Sequence, residues 1–83
     1  MEAKCRMKIK TKTGTEFECD MVAENPSPPR LYLHILNSSV GEVAAAFTDA
    51  SELPIEGYPD YTAFQSVSVT PEGVNVTMKK PGT

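Results

Sequence analysis

Apolar and charged side chains alternate along residues 4–22 with a period of two, which is typical of strands that bury one face. Cys5, Met7 and Ile9 take the odd positions of a first strand whose even positions are all basic. After Gly14 the odd positions become apolar again, while the even positions are now acidic. The pattern therefore predicts an antiparallel hairpin over residues 4–22 with one apolar and one charged face.

The loop between these strands decides which residues face each other. A three-residue loop, Lys12-Thr13-Gly14, keeps the apolar faces in phase, and glycine accepts the left-handed conformation that its third position needs. The predicted charged pairs are Lys10 with Glu16, Lys8 with Glu18 and Arg6 with Asp20, and the apolar pairs are Ile9 with Phe17, Met7 with Cys19 and Cys5 with Met21. Opposite charges across the pair help to set this register.

The middle of the chain changes from a proline-rich segment to a strand. Residues 25–29 contain three prolines, which remove backbone donors, so we expect an extended connector that interrupts the sheet. Residues 30–36 resume the period of two, with Leu31, Leu33 and Ile35 on one face. The other face of this strand is mixed, which favours a position inside the sheet.

A helix is predicted over residues 40–48. Ser39 and Glu42 have the spacing of a capping box, in which each side chain satisfies a backbone N–H at the helix start. An apolar stripe with helical spacing follows, formed by Val40, Val43, Ala44 and Phe47. We expect this stripe to pack on the apolar face of the sheet.

A closing hairpin is predicted over residues 61–80, around Pro71-Glu72-Gly73. A three-residue loop suits the turn residues but would set valines opposite polar side chains, and it would then require a bulge. A loop with an even number of residues keeps the apolar positions together. The pairs expected from the even loop are Val69 with Val76 and Val67 with Met78.

Together these elements predict a single α+β domain over residues 1–83. Its mainly antiparallel sheet has five or six strands, and one short helix packs on one face. A chain of 83 residues builds only a small core, so support from self-association is expected.

The charge distribution argues against nucleic acid as a partner. The net charge is −3, and acidic residues are expected beside three of the five basic residues of the first strand. These basic residues are better explained as part of a solvated, salt-bridged sheet face than as a surface that binds nucleic-acid phosphates. The longest apolar stretch is far shorter than the roughly 20 residues of a membrane span, and no secretory signal is visible, so we expect no membrane contact and an intracellular location.

Catalytic and metal-binding signatures are weak. Cys5, Cys19 and His34 are too few and too scattered for a structural zinc site, so no metal and no cofactor are expected. Both cysteines fall on the apolar face, whereas the histidine has the opposite parity in its strand. We therefore predict a protein that is not an enzyme, and a reactive thiol at Cys5 or Cys19 is the alternative.

Tyrosines in the loop before the closing hairpin are candidates for partner contact, because they offer large, rigid and amphipathic surfaces. The alternative is that Tyr61 and Phe64 cap the core. The residues proposed for partner contact are Tyr58, Tyr61, Asp60, Glu56 and Glu52.

Between Leu31 and Lys80, an apolar strand is followed by three short motifs. They are Val43-Ala44-Ala45-Ala46-Phe47, Gly57-Tyr58 with Tyr61-Thr62, and the closing strand Val74 to Lys79. In these motifs the chain resembles a class of small uncharacterised proteins encoded in phage and prophage genomes. The resemblance implies a viral accessory or virion-associated protein, in the bacterial host cytoplasm or in the particle.

Two functions are compatible with these features. The first is a non-enzymatic phage structural or assembly protein that self-associates, as a homo-oligomer, or docks on a protein partner through a sheet edge or the Tyr58 loop. The second is a small acidic inhibitor of a host defence protein such as a nuclease, in which the negative surface from Glu42 to Glu72 meets a basic nucleic-acid-binding cleft. Charge reversal at Glu52, Glu56 and Asp60 is expected to abolish such inhibition.

Overall fold

The computed structural model describes residues 7–82, and within this range five strands form one sheet with one helix against it. The elements are β1 (Met7–Lys10), β2 (Glu16–Pro26), β3 (Pro29–Leu36), α1 (Val40–Thr48), β4 (Ala63–Val69) and β5 (Gly73–Lys79). The strands lie in the order β1-β2-β3-β5-β4, and all neighbours are antiparallel. This confirms the predicted α+β class and the interior position of β3.

The hairpin of β1 and β2 has the predicted register. Lys10 lies opposite Glu16 and Ile9 opposite Phe17, with the next two pairs following in step. Gly14 closes the three-residue loop with a φ of 99°, in the left-handed region that glycine tolerates. The predicted pairs that involve Cys5 and Arg6 lie outside the described residues.

A β-bulge at Asp20 changes the second half of β2. Cys19 lies opposite Ile35 and Met21 opposite His34, so Asp20 is an extra residue in β2. Because side chains alternate along a strand, the extra residue turns Met21 to the face opposite Cys19. The expectation of an apolar, inward-facing Met21 is therefore wrong, and its side chain is 41% exposed.

The proline-rich segment 25–29 forms the end of a tight hairpin rather than an extended connector, so that expectation is wrong. Pro26 ends β2 and Pro29 begins β3, and the two residues are paired across the turn. Asn25 donates its side-chain amide to the Pro28 carbonyl at 3.0 Å. Prolines at strand ends and in the turn take no ladder bond away, which is why the sheet continues past them.

In the closing hairpin the expected even loop is confirmed, but the expected pairs are wrong by two residues. Val69 lies opposite Val74, and Val67 lies opposite Val76. Thr70 and Gly73 exchange two backbone hydrogen bonds of 2.9 and 3.3 Å, which leaves a turn of only two residues. A bulge does occur in this hairpin, but it lies in β4, between Phe64 and Ser66.

The helix begins as predicted, since Ser39 Oγ accepts the N–H of Glu42 at 3.3 Å. Val43 and Phe47 are fully buried, and the Phe47 ring stacks on Phe17 at 5.4 Å between centroids. The first residue of the expected stripe, Val40, is instead 39% exposed, because it is the first residue of α1 and lies beside the β4–β5 turn.

The core lies between one face of the sheet, the helix and the segment 49–62. Its sheet residues alternate along each strand, as they do for any half-buried sheet. The segment after the helix adds Leu53, Ile55 and Tyr61, all of them buried. We call this core-facing side the inner face and the opposite side the outer face. In the described part of the chain, no helix has the length and apolar character needed to cross a membrane.

Candidate functional site

The two edges of the sheet differ in chemistry and in cover. At the β1 edge, the Lys10 carbonyl accepts the N–H of Glu56 at 2.8 Å, and the N–H of Lys12 donates to the Glu52 carbonyl at 2.7 Å. The segment after the helix therefore covers the Lys10–Lys12 end of this edge, and lysines lie along it. Natural sheets use charges and cover of this kind to block unwanted strand pairing.

Strand β4 forms the other edge and has no charged side chain along Ala63–Val69. Thr70 and Gly73 form a hydrogen-bonded pair. Such pairs recur at every second residue of an antiparallel ladder, so the next residue of β4 that bonds to β5 is Ser68, opposite Asn75. The N–H and C=O groups of Val67 and Val69 therefore point away from β5. Among the described residues, no loop or helix backbone group forms a hydrogen bond with these four groups.

The side chains at this edge are apolar and accessible. Val69 is 71% exposed, the highest value among the large exposed hydrophobic residues of the described chain. It lines an open cleft of about 410 Å³ together with Val40 at the start of α1. We call Ser66–Thr70, with its outward backbone groups and Val69, the free edge.

The aromatic residues of the Tyr58 loop are largely used by the core. Tyr61 is only 2% exposed, and Tyr58 is half-buried against the core cluster. The Tyr61 hydroxyl donates to Glu24 Oε2 at 2.8 Å. Burial, followed by this hydrogen bond, raises the pKa of the Tyr61 phenol to about 12. Tyr61 thus belongs to the core and Phe64 packs against it, as the alternative interpretation of this loop expected.

The three acidic residues proposed for partner contact have three different surroundings. Glu52 accepts hydrogen bonds from the hydroxyls of Thr11 and Thr15, and the Thr11 bond above all lowers the pKa of its carboxyl group. Asp60 lies 3.9 Å from Lys80 Nζ.

Glu56 is exposed, but it lines the same cleft as Lys10 and Lys12. Basic side chains therefore stand beside two of the three carboxylates, and a hydroxyl pair holds the third. The continuous acidic surface that the inhibitor hypothesis requires is interrupted at these points.

A polar cluster on the outer face was not expected from the sequence. His34 Nδ1 lies 2.6 Å from Asp20 Oδ1, and His34 Nε2 lies 2.8 Å from Thr70 Oγ1. A carboxylate can only accept, so Nδ1 carries a proton, and in the neutral imidazole Nε2 then accepts from the hydroxyl. The bulge in β2 aims the carboxylate, and the short β4–β5 turn brings in the hydroxyl.

This order of carboxylate, imidazole and hydroxyl matches that of a nucleophilic triad. Thr70 Oγ1, however, also accepts the N–H of Gly73 at 3.0 Å, so the hydroxyl is held by the turn as well as by the imidazole. The His34 and Asp20 side chains are only 13% and 10% exposed. The arrangement accounts for a structural link between β2, β3 and the β4–β5 turn.

Cys19, a candidate for the reactive thiol, lies on the opposite side of the sheet from this cluster. Cys19 is fully buried on the inner face, which separates it from His34 on the outer face. Burial, with smaller contributions from the charges of Asp20 and Glu18, raises the pKa of the Cys19 thiol to about 11. The reactive thiolate is thus disfavoured at neutral pH. Cys5 lies outside the described residues.

Within residues 7–82, no three side chains of the metal-ligating types come together in a group that could hold an ion. Comparison with known proteins adds no assignment: no family model, no curated protein and no solved structure matches the chain.

A sheet edge was expected as a contact surface, but the sequence did not show which strand forms it. The edge that stays free is indicated by a difference between two strands that share the period-two pattern. The first strand has a lysine or arginine at each even position, whereas Ser66-Val67-Ser68-Val69 has no charge at all. The polar cluster had no local signal, because Asp20, His34 and Thr70 are far apart in the chain.

Proposed function

We propose that this chain is a non-enzymatic assembly module that binds another protein by strand addition at the free edge. The observation that carries the proposal is an uncharged edge strand whose Val67 and Val69 backbone groups point outward, beside a Val69 side chain that is 71% exposed. In strand addition, main-chain hydrogen bonds supply affinity and alternate side chains supply specificity.

The contrast between the two edges supports this assignment. Unprotected edges attract other strands, and proteins usually block them with charges, prolines or cover. Within residues 7–82, the β1 edge has lysines and is covered at its Lys10–Lys12 end, whereas β4 has no charged side chain and no backbone cover along Ser66–Val69. A difference in protection between the two edges is expected when one of them must remain available for a partner.

The resemblance to phage and prophage proteins supplies the biological setting of the proposal. In that setting the chain assembles in an infected bacterial cell or in the virus particle. The Tyr58 loop is the weaker candidate surface, because Tyr61 is buried and Tyr58 is half-buried.

Peptide selection tests the proposal directly. A library of random octapeptides is selected on the protein, and binders are ranked by their loss of affinity for Val69→Lys, which adds a charge to the free edge. Met7→Lys is the matched control, because Met7 is a 40% exposed apolar residue on the opposite edge strand. We expect extended peptides with alternating apolar residues that bind the wild type and Met7→Lys but not Val69→Lys.

The binding position is then read from the backbone amide resonances. Strand addition predicts large shifts and slowed hydrogen exchange at the N–H groups of Val67 and Val69. Peptides that shift Tyr58 or the outer face and leave the two valines unchanged would contradict the proposal, and so would a selection that yields no binder on a chain that stays monomeric.

A further inference from the structure

We infer that the partner strand at the free edge is the β4 strand of a second copy of this chain, antiparallel to the first, with a two-fold axis beside Ser68. This inference rests on the proposed function and specifies its partner. In the resulting dimer the two five-stranded sheets join into one continuous sheet.

The free edge is complementary to itself. When Ser66-Val67-Ser68-Val69-Thr70 runs antiparallel to a second copy about Ser68, Val67 faces Val69 and Ser68 faces Ser68. Ser66 faces Thr70 at each end. Every pair combines like with like on the same face of the sheet, with valines on the inner face and hydroxyl residues on the outer face.

In this register, the outward backbone groups of one copy face the outward backbone groups of the other. Val67 and Val69 direct their N–H and C=O groups outward, and the register sets each of them opposite the other residue in the second copy. An antiparallel hydrogen-bonded pair exchanges two bonds, so the two pairs form four. Ser68 and its symmetry mate become the close, non-hydrogen-bonded pair at the centre.

Each end of the Ser66–Thr70 segment is followed by a residue that stops regular strand pairing, and the two stops meet in this register. The bulge at Gln65 interrupts regular pairing before Ser66, and Pro71 lacks an N–H after Thr70. In the antiparallel arrangement Gln65 of one copy lies opposite Pro71 of the other. The two natural limits of the strand thus coincide, which selects this register over its neighbours.

Charge favours β4 over β1 as the edge at which two copies pair. Each chain has a net charge of −3, so two copies repel weakly at a distance. Strand β4 adds no charge to the contact itself, since Ala63–Val69 holds none. The same pairing through β1 would set the lysines of one copy beside those of the other, which is destabilising. Val69, 71% exposed in the single chain, is covered by Val67 of the second copy.

A disulfide tests the register. Ser68→Cys is made together with Cys5→Ser, and Cys19 is retained because it is fully buried. Cα atoms of a non-hydrogen-bonded antiparallel pair lie about 4.5 Å apart, within the range that a disulfide spans. We expect the Ser68→Cys chain to form a covalent dimer in a glutathione redox buffer.

Ser66→Cys in the same background is the matched control. It lies on the same strand and the same face, but it faces Thr70 of the second copy rather than its own mate. We expect it to remain monomeric on a non-reducing gel. Cross-linking of Ser66→Cys that equals or exceeds that of Ser68→Cys would overturn the register.

Sedimentation equilibrium tests the association without a cross-link. We expect a wild-type dimer, a dissociation constant raised on the order of tenfold or more by Val69→Lys, and no change with Met7→Lys. Val69→Glu serves as a second charged variant should the lysine variant fail to fold, and circular dichroism verifies the fold of each.

The outcomes separate this inference from the proposed function. A wild type that stays monomeric at millimolar concentration, with no Ser68→Cys dimer, overturns the inference. If selected peptides still bind at Val67 and Val69 in that case, strand addition stands and the partner is a different protein. If no strand binds there, both statements fail.

Discussion

At the scale of single residues, Gly73 lies where β5 comes closest to β3. It is paired with Leu36, and a Cβ atom at this position would overlap the carbonyl oxygen of Ile35. The neighbouring atoms belong to the backbone of an interior strand, so they have little freedom to move aside. Glycine is needed here for close approach rather than for a turn conformation.

We expect Gly73→Ala to lower the free energy of unfolding by about 3 kcal/mol, because the added methyl group forces the two strands apart. Urea denaturation followed by circular dichroism measures the change. Gly41→Ala is the matched control, since a methyl group there, in the exposed first turn of α1, would point into open space. A loss of stability in Gly41→Ala as large as in Gly73→Ala would contradict this explanation.

Tyr61 gives the protein a dependence on alkaline pH. The pKa of its phenol is raised from 10.0 to about 12, first by burial and then by the hydrogen bond to Glu24. The folded state therefore holds the proton that the unfolded state releases. This contribution to stability is complete below pH 10 and is lost as the pH rises towards about 12.

We expect the unfolding free energy of the wild type to fall more steeply over this pH range than that of Tyr61→Phe, which has no proton to release. Denaturation series from about pH 9 upward compare the two proteins. Tyr32→Phe, at a 38% exposed tyrosine on the outer face, is the control and should follow the wild type. Parallel curves for wild type and Tyr61→Phe would rule out this role.

At the scale of elements, the Asp20–His34–Thr70 cluster joins three parts of the sheet. Asp20 lies at the bulge of β2, His34 lies in β3, and Thr70 lies at the turn between β4 and β5. Since the two hydrogen bonds share one imidazole ring, the position of the turn depends on the position of the bulge. The cluster therefore couples the first hairpin to the last one.

A double-mutant cycle measures this coupling. We expect His34→Ala and Thr70→Val each to lower stability, and the double variant to lower it by about 1 kcal/mol less than the sum, because both remove the same hydrogen bond. Thr77→Val, on the outer face of β5, replaces Thr70→Val in a control cycle with His34→Ala. Equal coupling in both cycles would assign the effect to the sheet surface in general.

At the scale of the whole molecule, the strand order β1-β2-β3-β5-β4 leaves β1 and β4 as edges. The segment after α1 returns to cover the Lys10–Lys12 end of β1, and α1 lies against the inner face beside β4 and β5 without pairing with the backbone of β4. Within the described residues, the backbone of β1 is thus covered at one end, whereas that of β4 is left open along Ser66–Val69.

If the copies pair through β4, unfolding should depend on protein concentration, because association stabilises only the folded chain. We expect the thermal midpoint of the wild type to rise by about 3 °C for a tenfold increase in concentration. Met7→Lys should behave in the same way, and the midpoint of Val69→Lys should stay constant. Differential scanning calorimetry at two concentrations compares the three proteins.

The sequence by itself determined the features that depend on neighbouring residues. Alternation and the loop with Gly14 led to the correct register of the first hairpin, and Ser39 marked the start of the helix correctly. These features follow from side-chain period, turn chemistry and capping, which act within a few residues. The α+β class followed from the order of the elements.

Tertiary structure alone decided the features that depend on distant contacts. Asp20 looked like one more charged residue of a regular strand, and only its bond to His34, 14 residues away, shows the use of the bulge. Prolines that resembled a connector lie in a hairpin, because the flanking residues pair across them. Which edge stays free depends on where β5 inserts beside β3, and that contact joins residues more than 35 positions apart. Short-range patterns carry no information on such pairings, since the energies that select them come from the assembled sheet.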